Sequence, residues 1–417
     1  MESYIIEGGK RLEGEVNISG SKNATLPIMA ACVLNKGINT LYNVPNIYDV
    51  YIMENILEYL GCKIYRNNDK IVIDSSNISK YSIPEFLMRK MRSSVMLVGA
   101  IIGRMDKCIF SYPGGCEIGA RPIDLHINAF RKLDIQVKEE GGYIYCETNK
   151  INNTEINLDF PSVGATENII LVSVLGEGTT VIKNAAREPE IIDLQNILNK
   201  MGAKVEGAGS NVITIKGVKK LREVEYTVMP DRIEAGTFIC ALAGAKGHIV
   251  LNKINTEHIS SIISKVEEAG VKTKVYEDKL EIISEKRLHA IDNIRTMPYP
   301  GFPTDMQSQF VSMLVTSKGT SIITENIFEN RFKFINELIR MGAKISIEGR
   351  TAIIKGVKKI SGSLVEASDL RGGAALIIAG LVANGKTRII NINHILRGYE
   401  DIEGKLRKIG ANIIRSE

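Results

Sequence analysis

Hydrophobic and polar positions along the chain fall into two kinds of helical segment. The first kind is apolar almost all round: LPIMAACVLNKG, SSVMLVGAIIGR, ENIILVSVLGEG, AGTFICALAGAKG, SQFVSMLVTSKG and AALIIAGLVANG. A helix without a polar face is buried on every side, so these segments predict helices inside a core. Each is closed by a glycine-containing turn and followed by a short apolar strand: INTLYNV, KCIFSY, TTVIKNA, HIVLNKI, TSIITEN and TRIINI. The second kind is amphipathic, with Lys, Glu and Asn outward, and ends in LEYLGCKI, FRKLDIQV, LNKMGAKV, VEEAGVKT, LIRMGAKI or LRKIGANI.

The pivots of this second set, Gly61, Asp134, Gly202, Gly270, Gly342 and Gly410, recur at intervals of about 70 residues, the mark of a structural repeat. Glycine past a helix end takes the left-handed conformation that stops the helix. Asp134 stands in for it once, and Asp tolerates that conformation better than most residues. Each repeat reads helix, strand, loop, second helix and two strands, with GAKVEGAGSNVITIKG as the clearest closing hairpin. The pattern predicts an α/β fold of six sheets packed around buried helices, grouped as two sets of three.

Composition narrows the class. With 417 residues, of which 44% are hydrophobic and 24% charged, the chain has the profile of a globular protein of about two or three domains. The net charge of +5 is spread without a basic run, and aromatic stacking residues are not interleaved with it, so a nucleic-acid scaffold is disfavoured. MESYIIEGGK lacks the apolar core of a signal peptide, and the apolar stretch 372–383 is too short to span a bilayer. The expectation is a cytoplasmic protein without membrane insertion. Six cysteines occur with no CxxC pair, which gives neither zinc spacing nor a disulfide framework. Cys32 and Cys240 lie in apolar helical runs and read as core residues.

Charged residues recur at two equivalent places in the repeat. Lys22, Arg92, Arg232, Asp305 and Arg371 stand at the start of the apolar helices, and Arg121, Arg331 and Arg397 stand before the second helices. A helix N-terminus suits an anion and disfavours a cation. Lys22 and Arg371 are therefore locally costly, and a bound anion is the simplest compensation.

Three stretches carry candidate chemistry. SYPGGCEIGARPIDLH holds Cys116 among Gly114, Gly115 and Gly119 and close to Arg121, whose charge would tune an exposed thiol. Local chemistry leaves both a reactive and an inert Cys116 open, since no His adjoins it. PTDMQSQF puts Asp305 at a helix start, either as a dipole-complementing carboxylate or as a general base. MPDRIEAG has Asp231 and Glu234 at the spacing of a capping box.

SGSKNATLP, PGGCEIGARPIDLH, FPSVGATEN, AREPEI, MPDRIEAGTF, YPGFPTDMQ, ENRFKFINELIRMGAKI, DLRGGAALI and LRGYED, in this order, closely resemble the UDP-N-acetylglucosamine 1-carboxyvinyltransferase (enolpyruvyl transferase) family, of the EPSP synthase-like superfamily. The resemblance runs over essentially the whole chain. It implies a two-domain inverted α/β barrel, with residues 22–229 as one domain, residues 1–21 and 230–417 as the other, and an active site in the cleft between. It further implies transfer of the enolpyruvyl group of phosphoenolpyruvate to the 3′-hydroxyl of UDP-N-acetylglucosamine with release of phosphate, the first committed step of peptidoglycan synthesis. Cys116 would be the acid and adduct-forming residue, Asp305 the base, and Lys22, Arg121 and Arg397 the holders of phosphoenolpyruvate. Asn23, Arg92, Arg121, Pro122, Ile123, Asp124, Leu125, Ser162, Val163, Gly164, Asp305 and Ile327 would receive the UDP-sugar, with Arg331 and Arg371 lining the same pocket.

No metal or cofactor is implied, because placed cations and one proton donor stabilise an oxocarbenium-like transition state. Phe160 and Pro161 stand where some members carry Lys, so one phosphate contact is in question. Some members carry Asp in place of the loop Cys; Cys116 implies alkylation by the epoxide fosfomycin. Two alternatives are a shikimate-pathway enolpyruvyl transferase, to which the Cys loop is foreign, and a non-catalytic UDP-sugar-binding relative.

Overall fold

The computed structural model describes residues 2–114, 123–152 and 154–416. These divide into two compact units, residues 20–114 with 123–229 and residues 2–19 with 230–416. The chain leaves one unit for the other at 19–20, two residues before the expected position 22. Gly20 belongs with the second stretch because it lies hard against Asn43, whose carbonyl oxygen would be 1.7 Å from a Cβ at that position.

Among the described residues the strands form six sheets, three in each unit. In the 20–229 unit the strands that follow the apolar helices are Ile38–Tyr42, Lys107–Ser111 and Thr179–Lys183. In the other unit they are Gly247–Asn252, Thr320–Thr324 and Lys386–Ile390. Five of them gain a parallel neighbour on one side, as Val224–Thr227 lies beside Ile38–Tyr42. The sixth, Lys107–Ser111, has only the bridge between Ser82 and Ile109, so its sheet has three strands. The repeat ending at LRKIGANI supplies a single closing strand, Asn412–Ser416, and Ser3–Glu7 fills the missing place between it and Lys386–Ile390.

The six apolar segments are buried helices, as their lack of a polar face requires. In the 20–229 unit these are Lys22–Ala31, Met96–Met105 and Val163–Ser173. Gly99 touches Asn168, and Gly103 touches Leu171 and Leu34, so positions advance in step and the three helices run parallel. A Cβ on Gly99 would sit 2.5 Å from the Asn168 carbonyl oxygen, so the side chain has to be absent for this approach. The other unit packs Arg232–Ala245, Gln307–Leu314 and Leu370–Val382 against one another. Gly236 meets Met306, Gly244 meets Val382 and Ser312 bonds Ala375, which again makes the three parallel. Parallel packing gathers the first turns of three helices at one end of each unit. It thereby collects the charged residues that stand there.

All six pivots have positive φ: 113° at Gly61, 61° at Asp134, 101° at Gly202, 97° at Gly270, 98° at Gly342 and 95° at Gly410. Nothing lies within 4 Å of a Cβ built on Gly202, so an added methyl meets backbone strain and no clash. Gly202→Ala is expected to destabilise the unit by about 1–2 kcal/mol, the cost of a left-handed alanine. Urea denaturation would read this as a lower midpoint at unchanged slope.

Candidate active site

In the 20–229 unit the gathered helix starts carry Lys22, Asn23, Arg92 and Ser162. Ser21 caps the Lys22 helix by accepting from the Ala24 N–H at 3.3 Å, and Ser162 accepts from the Ala165 N–H at 3.3 Å. Lys22, the first helical residue, points Nζ at Asp49 Oδ2 at 3.3 Å, and both side chains are largely buried. Asp49 comes from the amphipathic helix Tyr48–Leu60. The cation at this helix start thus has a protein carboxylate beside it, and a bound anion is not its sole compensation. Arg92 opens the short turn Arg92–Val95 that leads into the Met96 helix.

Ile123 precedes the helix Asp124–Lys132, which Asp124 and Leu125 open, and His126 on its first turn packs this helix against the Val163–Ser173 helix. The His126 ring is 3.2 Å from where a Gly164 Cβ would stand. Asn168 orders this ring. Its Oδ1 accepts from the Gly99 N–H at 2.7 Å, so its Nδ2 donates to His126 Nδ1 at 2.9 Å and to the Val95 carbonyl at 3.0 Å. Cys116, Arg121 and Pro122 lie outside the described residues.

In the other unit Asp305 sits on the turn Thr304–Met306 that precedes the Gln307 helix. Its Oδ1 accepts from Arg331 Nη2 at 2.7 Å and its Oδ2 from Arg371 Nη2 at 3.0 Å. Those guanidinium side chains are 2% and 5% exposed, whereas Asp305 is 27% exposed. Burial alone would disfavour the charge on Arg371. The Asp305 carboxylate and the Tyr399 hydroxyl oppose that, and its pKa is raised. Asp305 is therefore more than a dipole-complementing residue; it is one carboxylate held by two desolvated cations.

Glu325, wholly buried, ties this cluster together. Its Oε1 accepts from Thr296 Oγ1 at 2.9 Å and from the N–H of Ile327 at 2.8 Å, and its Oε2 accepts from Thr304 Oγ1 at 2.9 Å. Thr304 Oγ1 accepts in turn from Arg331 Nη1 at 2.8 Å. Ile327, Asp305 and Arg331 are thus brought to one place. Arg397 follows the short helix Asn393–Leu396, two positions before Tyr399, whose hydroxyl accepts from Arg371 Nη1 at 3.2 Å. Burial raises the Tyr399 phenol against the pull of Arg371, so it stays a neutral hydroxyl.

One expectation needs correction. Asp231 does cap the Arg232 helix, accepting from the N–H groups of Ile233 and Glu234 at 2.7 and 2.9 Å. Glu234 does not complete the box, because a stronger partner is in reach: Lys405 Nζ lies 2.5 Å from its Oε1. Its Oε2 accepts from the Ser19 N–H at 2.7 Å, and the Asp231 N–H donates instead to the Ser19 carbonyl at 2.8 Å. Burial raises Glu234 to a pKa of about 7, with Lys405 pulling the other way.

Sequence reasoning passed over Asp49, His126, Glu325 and Tyr399. His126 follows directly on the singled-out RPID segment and Tyr399 stands in LRGYED two positions after Arg397, so proximity was a signal for both; Asp49 and Glu325 act across the sequence and gave none. Cys32, Cys62, Cys108, Cys146 and Cys240 are all buried. Burial pushes Cys62 and Cys146 up to about 12 and raises the other three as well, so none is a thiolate near neutral pH. Among the described residues no three His, Cys, Asp or Glu side chains gather as a metal site, and no helix is long and apolar enough to cross a membrane.

Comparison with known proteins accords with this geometry. Residues 6–406 match the family model described as EPSP synthase (3-phosphoshikimate 1-carboxyvinyltransferase). The chain is 52% identical over 415 residues to "UDP-N-acetylglucosamine 1-carboxyvinyltransferase 2" of Caldanaerobacter subterraneus subsp. tengcongensis, covering 100% of both chains. It is 48% identical to the protein of the same name from Carboxydothermus hydrogenoformans, covering 100% of this chain and 99% of that one. Among solved structures, the enolpyruvyl transferase NikO from Streptomyces tendae superposes with a TM-score of 0.90 at 22% identity, covering 100% of this chain and 99% of that chain. EPSP synthase from Acinetobacter baumannii does so with 0.77 at 16% identity and full coverage of both; these two likenesses concern the fold. With buried parallel helices, charged first turns and full-length relatives in agreement, the chain belongs to the enolpyruvyl transferases, in the family of the UDP-N-acetylglucosamine 1-carboxyvinyltransferases.

Proposed function

We propose that this protein transfers the enolpyruvyl group of phosphoenolpyruvate to the 3′-hydroxyl of UDP-N-acetylglucosamine and releases phosphate. The observation that carries the reading is the partly exposed Asp305 carboxylate gripped by buried Arg331 and Arg371. In the addition step Asp305 takes the hydroxyl proton, the sugar oxygen bonds to C2 of phosphoenolpyruvate, and Cys116 gives its proton to the methylene carbon. In the elimination step the new methyl group returns a proton to the Cys116 thiolate, the C2–O bond breaks with its electron pair leaving on phosphate, and the double bond returns. Cys116 also forms a covalent adduct with the donor, its sulfur adding to C2 and its proton to the methylene carbon as the double bond opens.

Lys22, Arg121 and Arg397 hold the phosphate and carboxylate of phosphoenolpyruvate. Asn23, Arg92, Arg121, Pro122, Ile123, Asp124, Leu125, Ser162, Val163, Gly164 and Ile327 receive the UDP-sugar. A carboxylate held by two guanidinium groups is a weak base until something competes for them. The donor's own carboxylate is such a competitor, and each bond it takes from Arg331 or Arg371 leaves Asp305 readier to accept a proton. Both substrates are multiply charged and do not cross a membrane unaided, which assigns the reaction to the cytoplasm.

The match to the EPSP synthase model makes shikimate 3-phosphate the acceptor to exclude. Phosphate release from phosphoenolpyruvate is expected with UDP-N-acetylglucosamine and not with shikimate 3-phosphate; the opposite preference would overturn the assignment of the acceptor. Asp305→Asn is expected to lower kcat by about 10²–10⁴-fold while UDP-N-acetylglucosamine still binds, as loss of a general base does. Equilibrium titration alongside turnover separates the two effects. Fosfomycin is expected to add once, at Cys116, because the other five thiols are buried and held protonated. Peptide mass spectrometry after treatment checks this, and an unmodified Cys116 would contradict it.

A further inference from the structure

Tyr399 is 1% exposed, yet it is a tyrosine and its hydroxyl is fully used. Arg371 has no acceptor, so its Nη1 donates to the Tyr399 oxygen at 3.2 Å. Tyr399 and Thr237 share a bond of 2.8 Å that either hydroxyl is able to donate. Thr237, however, spends its hydrogen on the Ile233 carbonyl at 2.8 Å, one turn back on its own helix. The Tyr399 hydrogen therefore goes to Thr237. Gln309 Nε2 braces the junction, 3.2 Å from Thr237 Oγ1 and 3.3 Å from the Tyr399 oxygen.

The result is a one-way chain from Arg371 through Tyr399 and Thr237 to a helix backbone. Its members come from all three parallel helices of this unit and from the segment that follows Arg397. Beyond Arg371 every member of the chain is neutral, so it orients the guanidinium without competing with Asp305 for its charge. The guanidinium carbon also stands 5.6 Å from the centre of the Tyr399 ring.

We infer that Tyr399 is a positioning residue: through this chain it fixes the Arg371 guanidinium where its other nitrogen grips Asp305. This rests on the reading of Asp305 as the base. Phenylalanine at 399 keeps the ring in the core and removes the one atom on which Arg371, Gln309 and Thr237 converge. A loose Arg371 then holds Asp305 through a shifting bond, and placement errors of this kind cost turnover more than binding.

The test is a double-mutant cycle in the full chain, reading phosphate release from phosphoenolpyruvate and UDP-N-acetylglucosamine. Tyr399→Phe is expected to lower kcat by about 10–100-fold, with KM for both substrates within about 3-fold of the native values. In an Arg371→Lys background the same substitution should cost less than about 3-fold, because the residue it acts through is already gone. A kcat within about 2-fold of native, or an equal loss in both backgrounds, would overturn the inference and leave Tyr399 a packing residue. Should Tyr399→Phe fail to fold, Thr237→Val breaks the chain one bond further on, and the same two results decide. A native chain without turnover would remove the Asp305 reading and this inference together, whereas native turnover with an unaffected Tyr399→Phe removes only the role of Tyr399.

Discussion

Charge at the edge of a core must find charge of the other sign, and that requirement organises both units. A helix with no polar face buries most of its length, so the charged residues at its start are wholly or partly taken out of water with it. Lys22 is met by Asp49, Arg371 and Arg331 by Asp305, and Glu234 by Lys405. Removing one member of such a pair costs about 3–5 kcal/mol, because the survivor is left buried and alone. The backbone faces the same demand, met by the side chains of Ser21, Ser162, Asp231 and Asp369 at four of the six helix starts. The charges at these helix starts are therefore already balanced within the protein.

What was legible in the sequence was what depends on neighbours a few positions away. The apolar segments declared buried helices, the glycine pivots declared their own backbone angles, and Asp134 took the left-handed conformation that the repeat demanded of it. Lys22, Asp305, Arg331 and Arg371 were found because a repeat places equivalent residues at equivalent points. What could not be read were partners fixed by packing. Asp49 sits on a different helix from Lys22, and nothing in YDVYIMEN distinguishes it from an ordinary first-turn acid. Glu234 had the spacing of a capping box, but Lys405 lies far along the chain and outcompetes the local backbone donor. Tyr399 stood in LRGYED two positions after Arg397 without showing its role, since a hydroxyl's use is visible only when its acceptor is. Cys116 stands apart: its case rests on the loop motif and on the contrast with five thiols that burial has silenced.

The placing of Ser3–Glu7 between Lys386–Ile390 and Asn412–Ser416 has a consequence for the order of events during synthesis. Every described strand of the 20–229 unit has its partners within that stretch, so this unit is able to fold once the ribosome has passed residue 229. The other unit begins earlier and finishes last. Tyr4 and Ile6, fully buried in the finished protein, must wait as an open apolar edge until residues nearly a whole chain length away emerge. Over that interval the nascent chain carries an unpaired apolar strand, the kind of edge that makes a newborn protein prone to aggregate.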